Sequence, residues 1–259
     1  MADFDTQRAL AKNRIRRRGI YLLPNLFTTA ALFAGFYAIV QAMNGNFEHA
    51  PIAIFVAMVF DGLDGRVARW THTESDFGAQ YDSLSDMISF GLAPALVVYE
   101  WALSGLGRVG WVVAFVYAAA AALRLARFNV QVGTVDKRYF VGLPSPSAAA
   151  LVAGLVWVMH LYGVPGREIS LLALGFTLFA AVAMVSNIHY FSFKQFNVKS
   201  RSPFMAIIAV VLGFALLAYE TGTVLFLIFF AYGLSGPLAA LFRLYRRRGR
   251  RHAAESRRL

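Results

Sequence analysis

The chain has 259 residues, no cysteine, a hydrophobic fraction of 58% and a formal net charge of +11. A mean hydropathy of +0.56 is too apolar for a water-soluble domain and fits an integral membrane protein. The missing cysteines exclude disulfides and thiol catalysis.

Residues 1–20 come first, with Phe4, Leu10, Ile15 and Ile20 set among basic residues. This pattern fits an amphipathic helix on the cytoplasmic membrane surface, and equally a basic tail that only sets topology. No cleavable signal peptide is expected, because this stretch is charged and the first apolar run is too long for one.

Eight apolar runs follow, at roughly 21–43, 50–72, 78–102, 110–130, 145–163, 168–187, 203–219 and 223–244. Each is long enough to cross a hydrocarbon core of about 30 Å. The expected fold is all-α, a polytopic bundle of about eight transmembrane helices. No linker divides residues 21–245, which read as one membrane domain, and residues 246–259 form a basic tail. Pro94 is expected to kink the third run. The fourth ends in Arg124 and Arg127, three apart and so on one helical face. The connection 131–144 fits either a loop over the site or a plain solvated connector.

The charges fix an orientation. With the N-terminus inside, all of the 25 lysines and arginines except Arg108 and Arg167 fall on the inner side. Both termini are then cytoplasmic, in a bacterial-type inner (plasma) membrane. The basic runs flank membrane spans, so anionic lipid headgroups rather than nucleic acid are the expected partners.

The chemistry lies in the second and third runs, which carry Asp61, Asp64, Asp82 and Asp86. One ionised Asp at the centre of a membrane helix costs roughly 2.5–3.5 kcal/mol. The spacings i, i+3 and i, i+4 put each pair on one face. Two antiparallel helices would then bring four carboxylates to one point, where hard divalent cations are natural partners. Gly62, Gly65 and Ala68 leave one side bare, which allows close approach by a ligand or by another helix. Arg69 stands one turn beyond Gly65, placed to meet a phosphate. The five histidines show no ligand spacing.

Written out, Asp61-x2-Asp64-Gly65-x2-Ala68-Arg69-x8-Gly78-x3-Asp82-x3-Asp86 resembles the signature of the CDP-alcohol phosphatidyltransferase family at every fixed position. The flanks LPNLFTTA (23–30), FGAQYDSLSDMISFGLAPA (77–95), AALRLARFN (121–129), GLPSPSAAA (142–150) and SNIHYFSFK (186–194) resemble its membrane-embedded, serine-accepting branch. The resemblance implies a divalent metal, Mg²⁺ or Mn²⁺ and as two ions, on Asp61, Asp64, Asp82 and Asp86, with Asp86 also the catalytic base. It implies CDP-lipid contacts from Asn25, Thr28, Gly65, Arg69 and Ser75. It further implies CDP-diacylglycerol and L-serine as substrates, and a homodimer; the serine carboxylate would want a guanidinium, for which Arg124 and Arg127 are candidates. The aspartate signature alone leaves other acceptors open, namely glycerol 3-phosphate, inositol phosphate or another amino alcohol. A cation pathway through the carboxylates is the reading from a different class.

Overall fold

The computed structural model describes residues 2–131, 139–191 and 219–255, with side chains at 23–130, 141–190 and 219–242. The seventh apolar run, 203–219, except for its last residue, and the basic residues Lys137, Arg138, Lys194, Lys199 and Arg201 lie outside the described residues.

Helix α1 (Ala2–Met43) runs unbroken through Pro24, so the basic segment and the first apolar run are one helix. Ala31, Ala34, Ala38 and Ala42 recur at three- or four-residue steps and are buried. This stripe of small side chains lets neighbouring helices approach closely. A turn at 44–48, with Gly45 at φ 75°, returns the chain into α2 (His49–Thr71). Ala50, Ala53, Ile54 and Ala57 form the buried face of α2. The helix stops at His72, whose left-handed φ of 53° leaves its N–H bonded to Ala68 and Arg69 carbonyls.

Ser75 caps the next helix, its Oγ accepting the Gly78 N–H at 3.1 Å. This helix, α3 (Asp76–Leu106), is not uniform. It is α-helical over Asp76–Asp86 and Ala93–Val98, with π-helical turns at Met87–Leu92 and Tyr99–Leu103. The expected irregularity at Pro94 takes this form. Proline has no N–H for the carbonyl of residue 90, and the Tyr117 hydroxyl donates to that oxygen at 3.1 Å instead. Gly35 makes the crossing with α1 possible: a Cβ there would sit 2.6 Å from Ser89 Oγ. Ser85 and Ser89 then donate across it to the carbonyls of Thr28 and Ala31 at 3.1 and 3.0 Å.

Helix α4 (Arg108–Gln131) leads to a short strand β1 (Tyr139–Val141), which pairs antiparallel with β2 (His189–Phe191). No local residue pattern marks this ribbon. Gly142, at φ 80°, passes 2.2 Å from the Met184 carbonyl by the position a Cβ would take, so no other residue fits that turn. Between the strands lie α5 (Ser145–Leu161) and α6 (Ser170–Val185). Buried residues fall all round α5, which makes it the central helix of the bundle. The last helix, α7 (Thr221–Glu255), packs Phe226 against Gly154 of α5 and includes the start of the basic tail.

Among the described residues, five helices are long and apolar enough to cross a membrane: Leu23–Met43, Asp76–Leu106, Arg108–Val130, Gly166–Val185 and Thr221–Phe242. The α5 helix is apolar but only 17 residues long, and α2 carries four charges in its second half. Large apolar side chains such as Phe33, Phe115, Leu171 and Leu241 are exposed on the outside. That exterior suits lipid, and the protein is an integral membrane protein of helical architecture.

Candidate active site

Helices α2 and α3 are joined by four residues, and the pairing of Asp64 with Asp82 and of Asp61 with Asp86 sets them antiparallel. Asp61, Asp64 and Asp82 each offer an oxygen within 4.8 Å of the others. Asp82 also comes within hydrogen-bonding reach of Asp64, and Asp86 within reach of Asp61. Two ionised carboxylates 4.8 Å apart repel by roughly 3.5 kcal/mol at an effective dielectric near 20. Such a cluster needs cations between its members.

Asp82 Oδ1 is buried and has no hydrogen-bond partner. A buried carboxylate oxygen left unpartnered is costly, and it points to a ligand the protein itself does not supply. The donor set is entirely oxygen, which suits Mg²⁺ or Mn²⁺ rather than a thiolate- or imidazole-loving metal. The residues present therefore fit a hard divalent cation.

The other walls come from α1 and the α2–α3 turn. The Thr28 hydroxyl donates to Asp64 Oδ2 at 2.8 Å and also meets the Pro24 carbonyl at 3.2 Å. It holds one carboxylate in place with a short charge-assisted bond. Asn25 Oδ1 and Ser75 Oγ both lie beside Gly78, 3.5 and 3.2 Å from where a Cβ would be. Ser75 is the cap of α3, and its hydroxyl proton is still free to donate elsewhere. Gly62 and Gly65 face open space, with nothing within 4 Å of a built Cβ. Arg69 is exposed in the last turn of α2. Asn25, Thr28, Gly65, Ser75 and the aspartates thus gather at one end of the bundle, with Arg69 at its edge.

The two arginines of α4 separate in role. Arg124 is buried, donates to Ser145 Oγ at 2.6 Å, and lies within electrostatic reach of Asp86 and Asp61. Arg127 points to the end of α6, donating to the Val185 carbonyl at 2.9 Å and to Ser186 O and Asn187 Oδ1 at 3.4 and 3.3 Å. Those carbonyls are the unsatisfied end of a helix, and Arg127 caps them.

Two residues near Arg124 were not singled out from the sequence. Ser145 sits in the GLPSPSAAA stretch, where a buried hydroxyl opening an apolar helix was the available signal. Tyr232 of α7 lies within electrostatic reach of Arg124 and 5.6 Å, ring to ring, from the buried Tyr190. Nothing marks Tyr232 in its apolar run. The four aspartates cluster on two neighbouring helices, and among the described residues they mark no route across the bundle, which leaves the cation-pathway reading without support.

The sequence profile of CDP-alcohol phosphatidyltransferases matches residues 21–188. The chain belongs to this family. It is 42% identical over 176 residues to a CDP-diacylglycerol–serine O-phosphatidyltransferase of Helicobacter pylori, covering 68% of this chain and 74% of the relative. A Mycobacterium tuberculosis enzyme of the same name is 42% identical over 154 residues, 57% of this chain and 54% of the relative. One from Saccharomyces cerevisiae is 38% identical over 142 residues, 49% and 51% of the two chains. The family match covers the whole aspartate site, Arg124 and Ser145, and stops short of α7.

Proposed function

We propose that the protein transfers the phosphatidyl group of CDP-diacylglycerol to the hydroxyl of L-serine, giving phosphatidylserine and CMP. The observation that carries this reading is the order of groups across the site. The three clustered aspartates come first, then Asp86, then a buried arginine suited to an amino-acid carboxylate. Relatives bearing this activity in two bacteria and a yeast support it.

Asp61, Asp64 and Asp82 would hold the divalent cation, Mg²⁺ or Mn²⁺, with Asp86 completing a site for two. When bound, the metal neutralises the diphosphate and the charge that builds on departing CMP. Asn25, Thr28, Gly65, Arg69 and Ser75 hold the CDP moiety. Thr28 acts in part through Asp64, and Ser75 through its free hydroxyl proton. Arg124 takes the serine carboxylate, with Ser145 fixing the guanidinium, and Tyr232 closes the pocket from α7. Arg127 supports that pocket by tying α4 to the end of α6. A serine so held presents its hydroxyl to Asp86. The oxygen attacks the phosphorus bearing diacylglycerol, its proton passes to an Asp86 carboxylate oxygen, and the bond to CMP breaks.

Around this site the full architecture is a membrane domain over 21–245 with eight spans, a basic N-terminal segment continuous with the first span, and a basic tail. Both termini and the site face the cytoplasm of a bacterial-type inner membrane, next to anionic lipids, and the enzyme works as a homodimer. The inward placement of nearly all lysines and arginines supports this orientation.

The test is CMP release from CDP-diacylglycerol with serine, glycerol 3-phosphate or inositol phosphate, each with and without chelator. Release with serine alone, abolished by chelator and restored by Mg²⁺ or Mn²⁺, is the expected result. Release with a different acceptor would keep the fold and overturn the serine assignment.

Arg124→Lys offers a second check. A lysine cannot reproduce a bidentate guanidinium–carboxylate contact, and the KM for serine should rise by roughly tenfold, as for a charged hydrogen bond worth about 1.5 kcal/mol. The KM for CDP-diacylglycerol should hardly change. Arg127→Lys should instead lower thermal stability more than it changes the serine KM. Equal serine KM values in Arg124→Lys and parent would move the carboxylate site elsewhere.

A further inference from the structure

Asp86 ends the first α-helical stretch of α3, and the π-helical turn Met87–Leu92 begins at the next residue. A π turn closes its hydrogen bonds five residues apart rather than four, and here the Ala93 N–H bonds to the Ile88 carbonyl. One residue more in a turn rotates what precedes it by roughly 100° about the helix axis. The direction in which Asp86 faces, relative to the rest of α3, therefore depends on this turn keeping its form.

The helix is held on either side of Phe90. Ser85 and Ser89 tie it to carbonyls of α1. Val97, Val98 and Leu103 are fully buried in the bundle. Between these anchors Pro94 deprives the Phe90 carbonyl of its usual helical donor, and a buried carbonyl left without one is costly. The Tyr117 hydroxyl of α4 supplies the donor at 3.1 Å. Both Tyr117 and Phe90 are fully buried.

The same face of α4 continues to the site. Tyr117, Ala121 and Arg124 follow one another by four and three residues, which is one helical face. The Ala121 Cβ lies 3.3 Å from where a Cβ on Gly91 would be. Arg124 is within electrostatic reach of Asp86. One stripe of α4 thus meets α3 at Phe90 and Gly91 in the π turn and at Asp86 just before it.

The structure assigns Tyr117 as a positioning residue: by holding the π turn through the Phe90 carbonyl, it sets the Asp86 carboxylate against the Arg124 guanidinium. The inference rests on the reading of Asp86 as base and of Arg124 as the group that takes the acceptor carboxylate. The acceptor hydroxyl must reach Asp86 while its carboxylate stays on Arg124, so the spacing of these two groups decides whether the proton is transferred. Tyr117 itself touches no substrate. A misplacement of about 1 Å can cost on the order of 10²-fold in rate. CDP-lipid binding depends less on Tyr117, because Asp64 is held separately by Thr28 and Asp82 lies one turn farther from the π turn.

The test is Tyr117→Phe, which removes the hydroxyl and keeps the ring. Thr177→Val is the control: it also removes one buried hydroxyl, bonded at 2.7 Å to the Ala173 carbonyl of its own helix, α6. CMP release with saturating serine and CDP-diacylglycerol, the KM for serine, and CDP-lipid binding with Mg²⁺ and no serine are measured on both. Tyr117→Phe should lose roughly 10–10²-fold in kcat, with serine KM and CDP-lipid affinity near those of the parent. Thr177→Val should change none of the three. The decisive reading is Tyr117→Phe placed in Asp86→Asn. A residue that acts through Asp86 adds no further loss once the base is gone, whereas independent effects multiply. Parental kcat in Tyr117→Phe, or a loss that multiplies in full with that of Asp86→Asn, would overturn the inference. So would early unfolding or lost CDP-lipid binding in Tyr117→Phe, which would make the hydroxyl a support of the fold. A parent that releases no CMP with serine would overturn the reading of the site itself, an outcome separate from any of these.

Discussion

Asp86→Asn is expected to keep CDP-lipid affinity close to that of the parent while losing turnover by about 10²–10⁴-fold, the range for a lost general base. Asparagine has the size of aspartate and keeps one carbonyl oxygen for a cation, but it cannot take the proton of an attacking hydroxyl. The arrangement explains why Asp86 and not Asp82 should show this pattern. Asp61, Asp64 and Asp82 form the tight group, with Asp82 Oδ1 buried and unpartnered. Asp86 meets that group by hydrogen-bonding reach at Asp61, and lies within electrostatic reach of Asp82 and of Arg124. Asp82→Asn removes a charge from the tight group and should weaken metal-dependent CDP-lipid binding itself. Binding titrations with Mg²⁺, set beside CMP release at saturating substrates, separate the two. Near-normal turnover in Asp86→Asn, with Asp82→Asn binding lipid but inert, would exchange their roles.

Much of this site was legible in the sequence because its spacing is helical. Aspartates three and four residues apart stay on one face whatever the rest of the bundle does, and a short connection brings the two faces together. Gly65 was readable from its place one turn beyond Asp61, whereas the Asn25–Thr28 stretch was readable only through the family resemblance. The parts that escaped notice depend on contacts between distant segments. Arg124 and Arg127 look alike from their spacing, yet one turns toward the aspartates and the other caps α6, which only the packing of α4 against α5 and α6 decides. Tyr232 reaches the site through a pairing of α7 with Tyr190 across 42 residues, part of which lies outside the described structure. The π turns around Pro94 and the β1–β2 ribbon likewise answer to tertiary partners, Tyr117 and the end of α6, rather than to local periodicity. Five of the eight apolar runs coincide with helices long enough to span, while the uncharged run 145–163 forms a helix of only 17 residues. The runs could not show that α1 begins at Ala2 and has no break before the first span.

Gly65→Leu is expected to abolish CDP-lipid binding in a protein that folds at least as well as the parent. The two halves of that statement come from one observation. A Cβ built on Gly65 meets nothing within 4 Å, so a side chain there collides with no part of the protein. Replacing a helical glycine by leucine gains about 1 kcal/mol in intrinsic helix propensity, which should raise the melting temperature slightly. The space it fills lies beside Asp64 on the face that carries the carboxylates, where the diphosphate must sit. Leucine therefore competes with the ligand and not with the fold. Gly175→Leu on α6 is the matched control: it too faces open space, but far from Asp64 in the chain and on the lipid-facing side. It should share the stability gain and leave binding unchanged. Thermal unfolding and CDP-lipid titration on both variants decide the matter. If Gly65→Leu binds CDP-lipid with parental affinity, the open space beside Asp64 is not where the nucleotide lies. If it unfolds early, the bare face of α2 serves helix packing, and its glycine belongs to the fold rather than to the ligand.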